Sequence, residues 1–241
     1  MPVAHNAPSL QQEKALIWRI LDHLRDRRFE PGERLPSERD LAERLGVGRN
    51  ALREALATLI TLRVVESRPN SGIYLRKLAT ESSFETVVLL SEMGSPPSPA
   101  DVIDSMEVRR TLELQAVQLA CERRTDEDLA RIAATLRDAD TLLAQKGNIA
   151  DYDNEFHMAL AEASHNTVLV RLLHAFYRLS LERRRDYFSD LKRAKDSANA
   201  HRKIAEAVEK RDVETGMKVM ERHIGNGKHY WSEILKARTA D

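Results

Sequence analysis

The chain has 241 residues, room for two ordinary domains, and its 42% apolar and 32% charged residues can build a core, which excludes a wholly disordered chain. Aromatics at 5%, with 9 Gly and 8 Pro, favour helices over a sandwich or barrel, and a lone cysteine, Cys121, excludes an internal disulfide or a cysteine-only zinc site. Net charge is zero, yet residues 1–78 carry 14 Lys+Arg against 10 Asp+Glu and the remainder 24 against 28, so a polyanionic partner would meet the first segment.

No apolar run approaches the ~18 residues of a membrane span, and the opening residues lack a signal-peptide apolar stretch. The expectation is a cytoplasmic protein with no membrane partner.

In chain order, residues 10–28 read as a helix, with Leu16, Ile20 and Leu24 at four-residue spacing. A turn follows at Phe29-Glu-Pro-Gly. A second helix starts at Ser37, where Ser37-Glu-Arg-Asp40 fits a capping pattern, and Gly46-Val47-Gly48 breaks it. A third helix follows at once, with Leu52, Leu56, Leu59 and Ile60 on one face. Val64-Val65, a polar turn at Ser67–Ser71 and Gly72–Leu75 then predict a two-stranded hairpin.

Past residue 79 a short helix is expected over about 80–93, followed by a loop at Gly94-Ser-Pro-Pro-Ser-Pro99. Amphipathic helices are expected over about 101–123, 126–145, 149–163, 167–189, 195–210 and 212–238, without strands. The fold class is therefore mainly α: a winged helix-turn-helix with a small hairpin wing, then an all-α antiparallel bundle.

A helix-turn-helix followed by a hairpin is built to read a major groove, the first helix bracing the second, whose first residues reach base edges. Those residues are Arg49, Asn50 and Arg53. Arg bridges guanine O6 and N7, and Asn bridges adenine N6 and N7. Arg39 is placed for a phosphate or an outer base, and Arg68 at the hairpin tip for the minor groove or the backbone. The plainer reading of each is a solvated surface side chain.

Pro31-Gly-Glu-Arg-Leu-Pro-Ser-Glu-Arg-Asp-Leu-Ala42, Leu45-Gly-Val47, Arg49 and Leu52-Arg-Glu-Ala-Leu56 together closely resemble the DNA-binding domain of GntR-family transcription regulators. The resemblance implies operator contacts from Arg39, Arg49, Asn50, Arg53 and Gly72, with Ser37, Glu38 and Arg68 beside them. Two positions depart from the family pattern: Gly48 stands where a Ser or Thr cap is usual, and Arg63 stands near a usual Gly.

Six of the eight histidines lie beyond residue 150. Asp153 and His157 are four apart on one helix, His201 borders the Ala198/Ile204 stripe of another, and His223 lies on the Met220 side of a third. One carboxylate and three imidazoles make an N/O site for Zn, Ni, Mn or Fe, unless each His is simply a hydrogen-bonded core residue. Arg109 stands in register with Val102, Met106, Leu112 and Ala116, where it would either pair with Glu113 one turn on or clamp a ligand carboxylate. His165, His174 and His229 read as ordinary residues, and Asn166 as a cap for the next helix.

Arg109–Glu113, Asp153-Asn-Glu-Phe-His157, Ala163–Asn166, His201…Ile204 and Met220-Glu-Arg-His-Ile224 look like the helical FCD effector domain of the FadR subgroup. That resemblance implies a divalent metal, Zn first, on Asp153, His157, His201 and His223, and a small organic or sugar acid held by Arg109. The implied protein is a regulator, a repressor released by that acid. The implied domains are 1–78 for DNA, 79–100 as a linker, and 101–241 for effector binding and dimerisation. One recognition helix reads few base pairs, so a homodimer on a near-palindromic operator is expected. The alternative is a metal-dependent hydrolase using the same Asp/His cluster. No HExxH motif or evident general base supports it.

Overall fold

The computed structural model describes residues 10–77, 83–92 and 97–240. The chain divides into two compact units, Met1–Pro96 and Pro97–Asp241. The expected 78/79 boundary, the first residues of the expected short helix and loop residues 94–96 lie outside the described residues.

The first unit contains helices α1 (Leu10–Asp26), α2 (Glu38–Leu45) and α3 (Arg49–Thr61), strands β1 (Val65–Arg68) and β2 (Gly72–Leu75), and helix α4 (Phe84–Glu92). The Ser37 hydroxyl accepts the Asp40 N–H at 3.2 Å, the cap read from the sequence. Gly46 ends α2 at φ 60° and donates to Glu43, while Val47 donates to Ala42, the paired bonds of a left-handed helix stop. Helix α3 stops the same way at Arg63, with Arg63 N–H to Ile60 and Val64 N–H to Leu59, but there φ is 59° on a residue with a Cβ. The core is apolar throughout: Leu16, Ile17, Ile20, Leu41, Leu52, Leu59, Val64 and Val65 are among its buried members.

The hairpin is antiparallel with Val65 opposite Leu75 and Arg68 opposite Gly72. A third extended segment, missed in the sequence, flanks it. Gly32 N–H donates to Leu75, Leu35 N–H to Ile73, and Leu75 N–H to the Glu33 carbonyl. Its only two-residue bridge, Arg34 to Tyr74, is too short to leave a period-two pattern. Helix α4 belongs to this unit, since the Thr86 hydroxyl and the Ser83 N–H both donate to the Leu62 carbonyl.

The second unit contains α5 (Pro99–Arg123), α6 (Asp126–Ala144), α7 (Ala150–Ala163), α8 (Thr167–Leu179), α9 (Leu181–Tyr187), α10 (Leu191–Glu209) and α11 (Val213–Ala240). Capping boxes at Ser98/Asp101 and Thr125/Asp128 open α5 and α6. Asn166 caps α8, its side chain accepting the Val168 and Leu169 N–H groups, as the sequence suggested. Helix α5 packs against α7, α8, α10 and α11. Its Ala116, Val117, Ala120 and Cys121 are fully buried against Phe156, Leu160, Ile204, Val208 and Met220 on three of those helices and against Leu173 and Tyr177 on the fourth.

The single helix expected over 167–189 is two. Ser180 takes φ −104°, ψ 6° between them, and Arg184 reaches back to donate to the Tyr177 carbonyl at 3.0 Å and the Ser180 hydroxyl at 3.2 Å. That guanidinium supplies a donor the broken ladder lost. The helix expected from 195 begins at Leu191, capped by Asp190.

Candidate nucleic-acid interface and metal centre

Arg49 and Asn50 occupy the first turn of α3, exposed, and their side chains make no hydrogen bond or ion pair to any described residue; Gly48, which precedes them, offers no side-chain cap. Arg53, one turn on, donates through Nε to Glu38 at 2.6 Å, which ties the start of α2 to α3 and fixes the guanidinium's direction. Arg39 is exposed, its nearest carboxylate Asp40 at 3.7 Å. Arg68 is less free than a hairpin tip suggests: Nε donates to Glu66 at 2.7 Å and the guanidinium lies 3.9 Å from the Tyr74 ring. Glu66 and Tyr74 are cross-strand partners, so all three share one face of the wing. Gly72 has φ 121°, a backbone conformation that favours glycine, and a Cβ there would stand 2.8 Å from Arg34 Nε, so that flexible side chain would have to move. Arg34, Glu38, Arg53, Arg68 and Gly72 line one cleft. Of the residues predicted from the sequence, Arg53, Arg68 and Gly72 share this cleft, while Arg39, Arg49 and Asn50 are exposed outside its lining.

In the second unit, α7 supplies Asp153 and His157, α10 His201 and α11 His223. Their four ligand atoms lie within 4.8 Å of one another. His157 Nε2 and His201 Nε2 stand 3.1 and 3.2 Å from His223 Nε2, and Asp153 Oδ1 lies 3.4 Å from His201 Nε2 and 3.8 Å from His157 Nε2. Ligands sharing one ion at ~2.1 Å stand about 3.0–3.4 Å apart, so the spacing fits a shared ion.

The surroundings fit as well. His157 Nδ1 is 2.9 Å from Glu113 Oε2, so this ring donates its Nδ1–H to the carboxylate and turns the Nε2 lone pair toward the cluster. His201 stacks on Phe156 at 4.1 Å, which fixes its plane. Burial, then the neighbouring imidazoles, hold His201 well below the ordinary histidine range; burial and then His157 push His223 down to about 3. Both rings are therefore neutral, the form that coordinates metal.

Glu113 is fully buried and takes three partners: His157, the Tyr177 hydroxyl at 2.5 Å and Arg109 Nε at 3.1 Å. Burial alone would raise its pKa, but His157 and Arg109 outweigh that and bring it to about 2, so it stays a carboxylate. Burial raises Tyr177 well above its ordinary value, which keeps the phenol a donor. Arg109 also donates to the Tyr177 oxygen. Arg109 thus pairs with Glu113, as one of its two sequence readings has it, and it also lines a cavity of about 60 Å3 with Asp153, Arg184, His223, Met106 and Trp231.

Residues 12–75 match the bacterial regulatory proteins of the gntR family, and residues 104–226, half of the chain, match the FCD domain. The chain belongs to the GntR family, with an FCD domain. Among similar proteins, the HTH-type transcriptional regulator LutR of Bacillus subtilis strain 168 is 37% identical over 166 residues, covering 66% of this chain and 70% of that one. The Uxu operon transcriptional regulator of Escherichia coli K12 is 31% identical over 211 residues, covering 83% and 79%. A solved structure of Lar, which controls expression of the Listeria monocytogenes agr system, superposes with TM-score 0.64 at 18% identity over 96% of this chain and 100% of that one, a likeness of fold alone.

This GntR-family protein is therefore a DNA-binding transcription regulator with an FCD effector-binding domain, not an enzyme, and the hydrolase alternative is set aside. FCD domains commonly bind metal, and the Asp153/His157/His201/His223 cluster can hold one. No described helix is long and apolar enough to cross a membrane.

Three contributors to the site were not read from the sequence. In the sequence Glu113 stands out only as a partner one turn from Arg109, whereas it also faces His157 across α5 and α7. Tyr177 and Arg184 carried no signal: one is an aromatic on an apolar helix face, the other the middle of a Glu-Arg-Arg-Arg run. His165, read as ordinary, donates from an exposed position to buried Asp128 at 2.9 Å and belongs to the α6 cap.

Proposed function

We propose that the protein is a homodimeric repressor of the FadR subgroup. It leaves a near-palindromic operator when a small organic acid binds between Arg109 and a divalent ion, Zn first, on Asp153, His157, His201 and His223. One observation carries the reading: Arg109, in a bundle core, lines the same small cavity as the ligands Asp153 and His223. A guanidinium and a divalent ion facing one apolar-walled space select an anion over a neutral ligand. When bound there, the ion offers an oxygen of the acid a Lewis-acid anchor. Arg109 orients the carboxylate, because Glu113 and Tyr177 hold the guanidinium while its remaining N–H groups stay available.

Arg49, Asn50 and Arg53 read base edges, Arg39 takes phosphate, and Arg68 with Gly72 sets the wing against the duplex. The acid acts on DNA by favouring one spacing of the two winged helices in the dimer. Exposed Val108, Val168 and Leu172 on α5 and α8 are apolar surface available for that pairing.

The test is a titration of organic acids into the operator complex of wild type and Arg109→Ala, with and without chelator. Operator release by an acid in metal-loaded wild type alone supports the reading. Equal responses in all four conditions reject both anchors, tighter DNA binding reverses the sign, and a monomer on DNA in ultracentrifugation rejects the dimer.

A further inference from the structure

Two cavities meet at Arg109 and Arg184. The first, of about 60 Å3, reaches Asp153 and His223. The second, of about 40 Å3, contains none of the four ligand residues and is lined by Ser105, Phe176, Ser180 and Arg183. Met106, Arg109, Arg184 and Trp231 belong to both walls.

The charges around this pair do not balance. Three guanidiniums line it, Arg109, Arg183 and Arg184, against one carboxylate in its walls, Asp153, with Glu113 behind Arg109. Glu113 is consumed by Arg109, Tyr177 and His157, and Asp153 belongs to the cation cluster. Arg184 is 7% exposed, and its Nε–H has no hydrogen-bond partner, the nearest carboxylate oxygen, on Asp153, being 3.8 Å away. Arg183 has no hydrogen bond or ion pair among the described residues. Burial, then repulsion from Arg109 and Arg184, brings its pKa down to about 10, a cation still charged and uncompensated. The hydroxyls of Ser105 and Ser180 donate to the Val102 and Tyr177 carbonyls, so the arginines are the charged donors left to recognise a ligand, beside the indole N–H of Trp231.

A buried cation is held only by its partners, and a single carboxylate at Arg109 leaves half-buried Arg183 unpaired and buried Arg184 with only the 3.8 Å approach of Asp153. A divalent ion on the adjoining cluster adds to the cationic excess. We propose that the second cavity is an anion subsite formed by Arg183 and the free Nε–H of Arg184, so that the effector is an acid with a second anionic terminus, carboxylate or phosphate. This rests on the acid-binding reading above and narrows it from one anionic group to two. Trp231 and Met106, shared by both walls, pack against the apolar part of such a ligand.

The experiment is calorimetry on the full-length, Zn-loaded protein with three matched pairs: lactate and malate, gluconate and glucarate, glycerate and 3-phosphoglycerate. In wild type the two-headed member binds at least tenfold more tightly than its partner in one pair or more. The first two pairs report a carboxylate and the third a phosphate. In Arg183→Gln that margin disappears, and Arg183→Lys retains part of it. Equal affinities within every pair in wild type overturn the subsite, as does a margin that survives Arg183→Gln. When both members bind equally and chelator abolishes binding, only the second subsite is lost. When no acid binds in any pair, the acid-binding reading falls with it.

Discussion

The two units place their charges oppositely. In the winged-helix unit the core is apolar, Thr86 is the only buried polar residue among those described, and Arg39, Arg49, Asn50, Arg53 and Arg68 sit on the surface. In the helical unit Glu113, Asp153, His157, Arg184 and His201 lie inside, each 7% exposed or less. A surface cation already meets water and costs the fold little. A buried one is held only by its partners. The DNA-reading surface is therefore free to change without loss of stability, whereas every change at the buried site alters stability and ligand binding together.

The largest effect falls on Glu113. Glu113→Ala leaves His157, Tyr177 and Arg109 without their common acceptor in a closed core, at a cost of about 3–5 kcal/mol in a denaturant melt. Glu113→Gln retains the packing but no longer takes the His157 proton as a charge, and metal affinity falls about 10–100-fold. Unchanged stability and affinity in both variants breaks the contrast at its strongest point.

Arg49→Ala is the opposite case. Operator binding weakens by about 1–3 kcal/mol with relaxed preference at the contacted base, while the unfolding free energy stays within about 0.5 kcal/mol of wild type. A uniform loss on all DNA sequences assigns Arg49 to the backbone instead.

Asp128 sharpens the comparison through pH. Burial would raise its pKa, but the Thr125 N–H and hydroxyl, Arg131 and His165 together hold it below the usual carboxylate range. A carboxyl with a depressed folded pKa contributes stability that is complete above the unfolded value of about 3.9 and is lost as pH falls through the folded one. Wild type therefore loses stability below about pH 4 more steeply than Asp128→Asn, which starts about 1 kcal/mol lower at pH 7. Parallel acid limbs in the two proteins contradict this.

The smallest change is a gain. Arg63 holds φ 59° at the helix stop, where glycine escapes a strain of about 1–2 kcal/mol but loosens the unfolded chain by about 0.5–1 kcal/mol. Arg63→Gly thus stabilises by roughly 0.5–1 kcal/mol, and a lower melting temperature in that variant counts against the strain.

Much of this was legible in the sequence. The helix starts at Ser37 and Asn166 announce themselves by cap chemistry, and Asp153 and His157 by a spacing that puts them on one helix face. His201 and His223 are candidates from their helix faces, but only the family resemblance favours one shared site over separate core histidines, since spacing says nothing of which helices meet. The break at Ser180 was hidden because the residues on either side keep an apolar period, and the guanidinium that patches it comes from a side chain four residues on. The extended segment at 32–35 is a product of tertiary pairing with β2, not of local preference. Arg183 and Arg184 look like a solvated charge run, and only packing against α5 and α11 makes them walls of a cavity.

The buried cluster is expected to serve the helical unit and not the DNA surface directly. A titration of Zn2+ into metal-free protein, with melting temperature and operator affinity followed side by side, tests this. Bound metal should saturate at one ion per chain, and melting temperature should rise with free Zn2+, the added stability reaching about 2.7 kcal/mol at a hundredfold excess over Kd, with operator affinity unchanged while no acid is present and the rise absent in His201→Ala. No metal-dependent rise, or operator affinity that changes in step with metal, contradicts it.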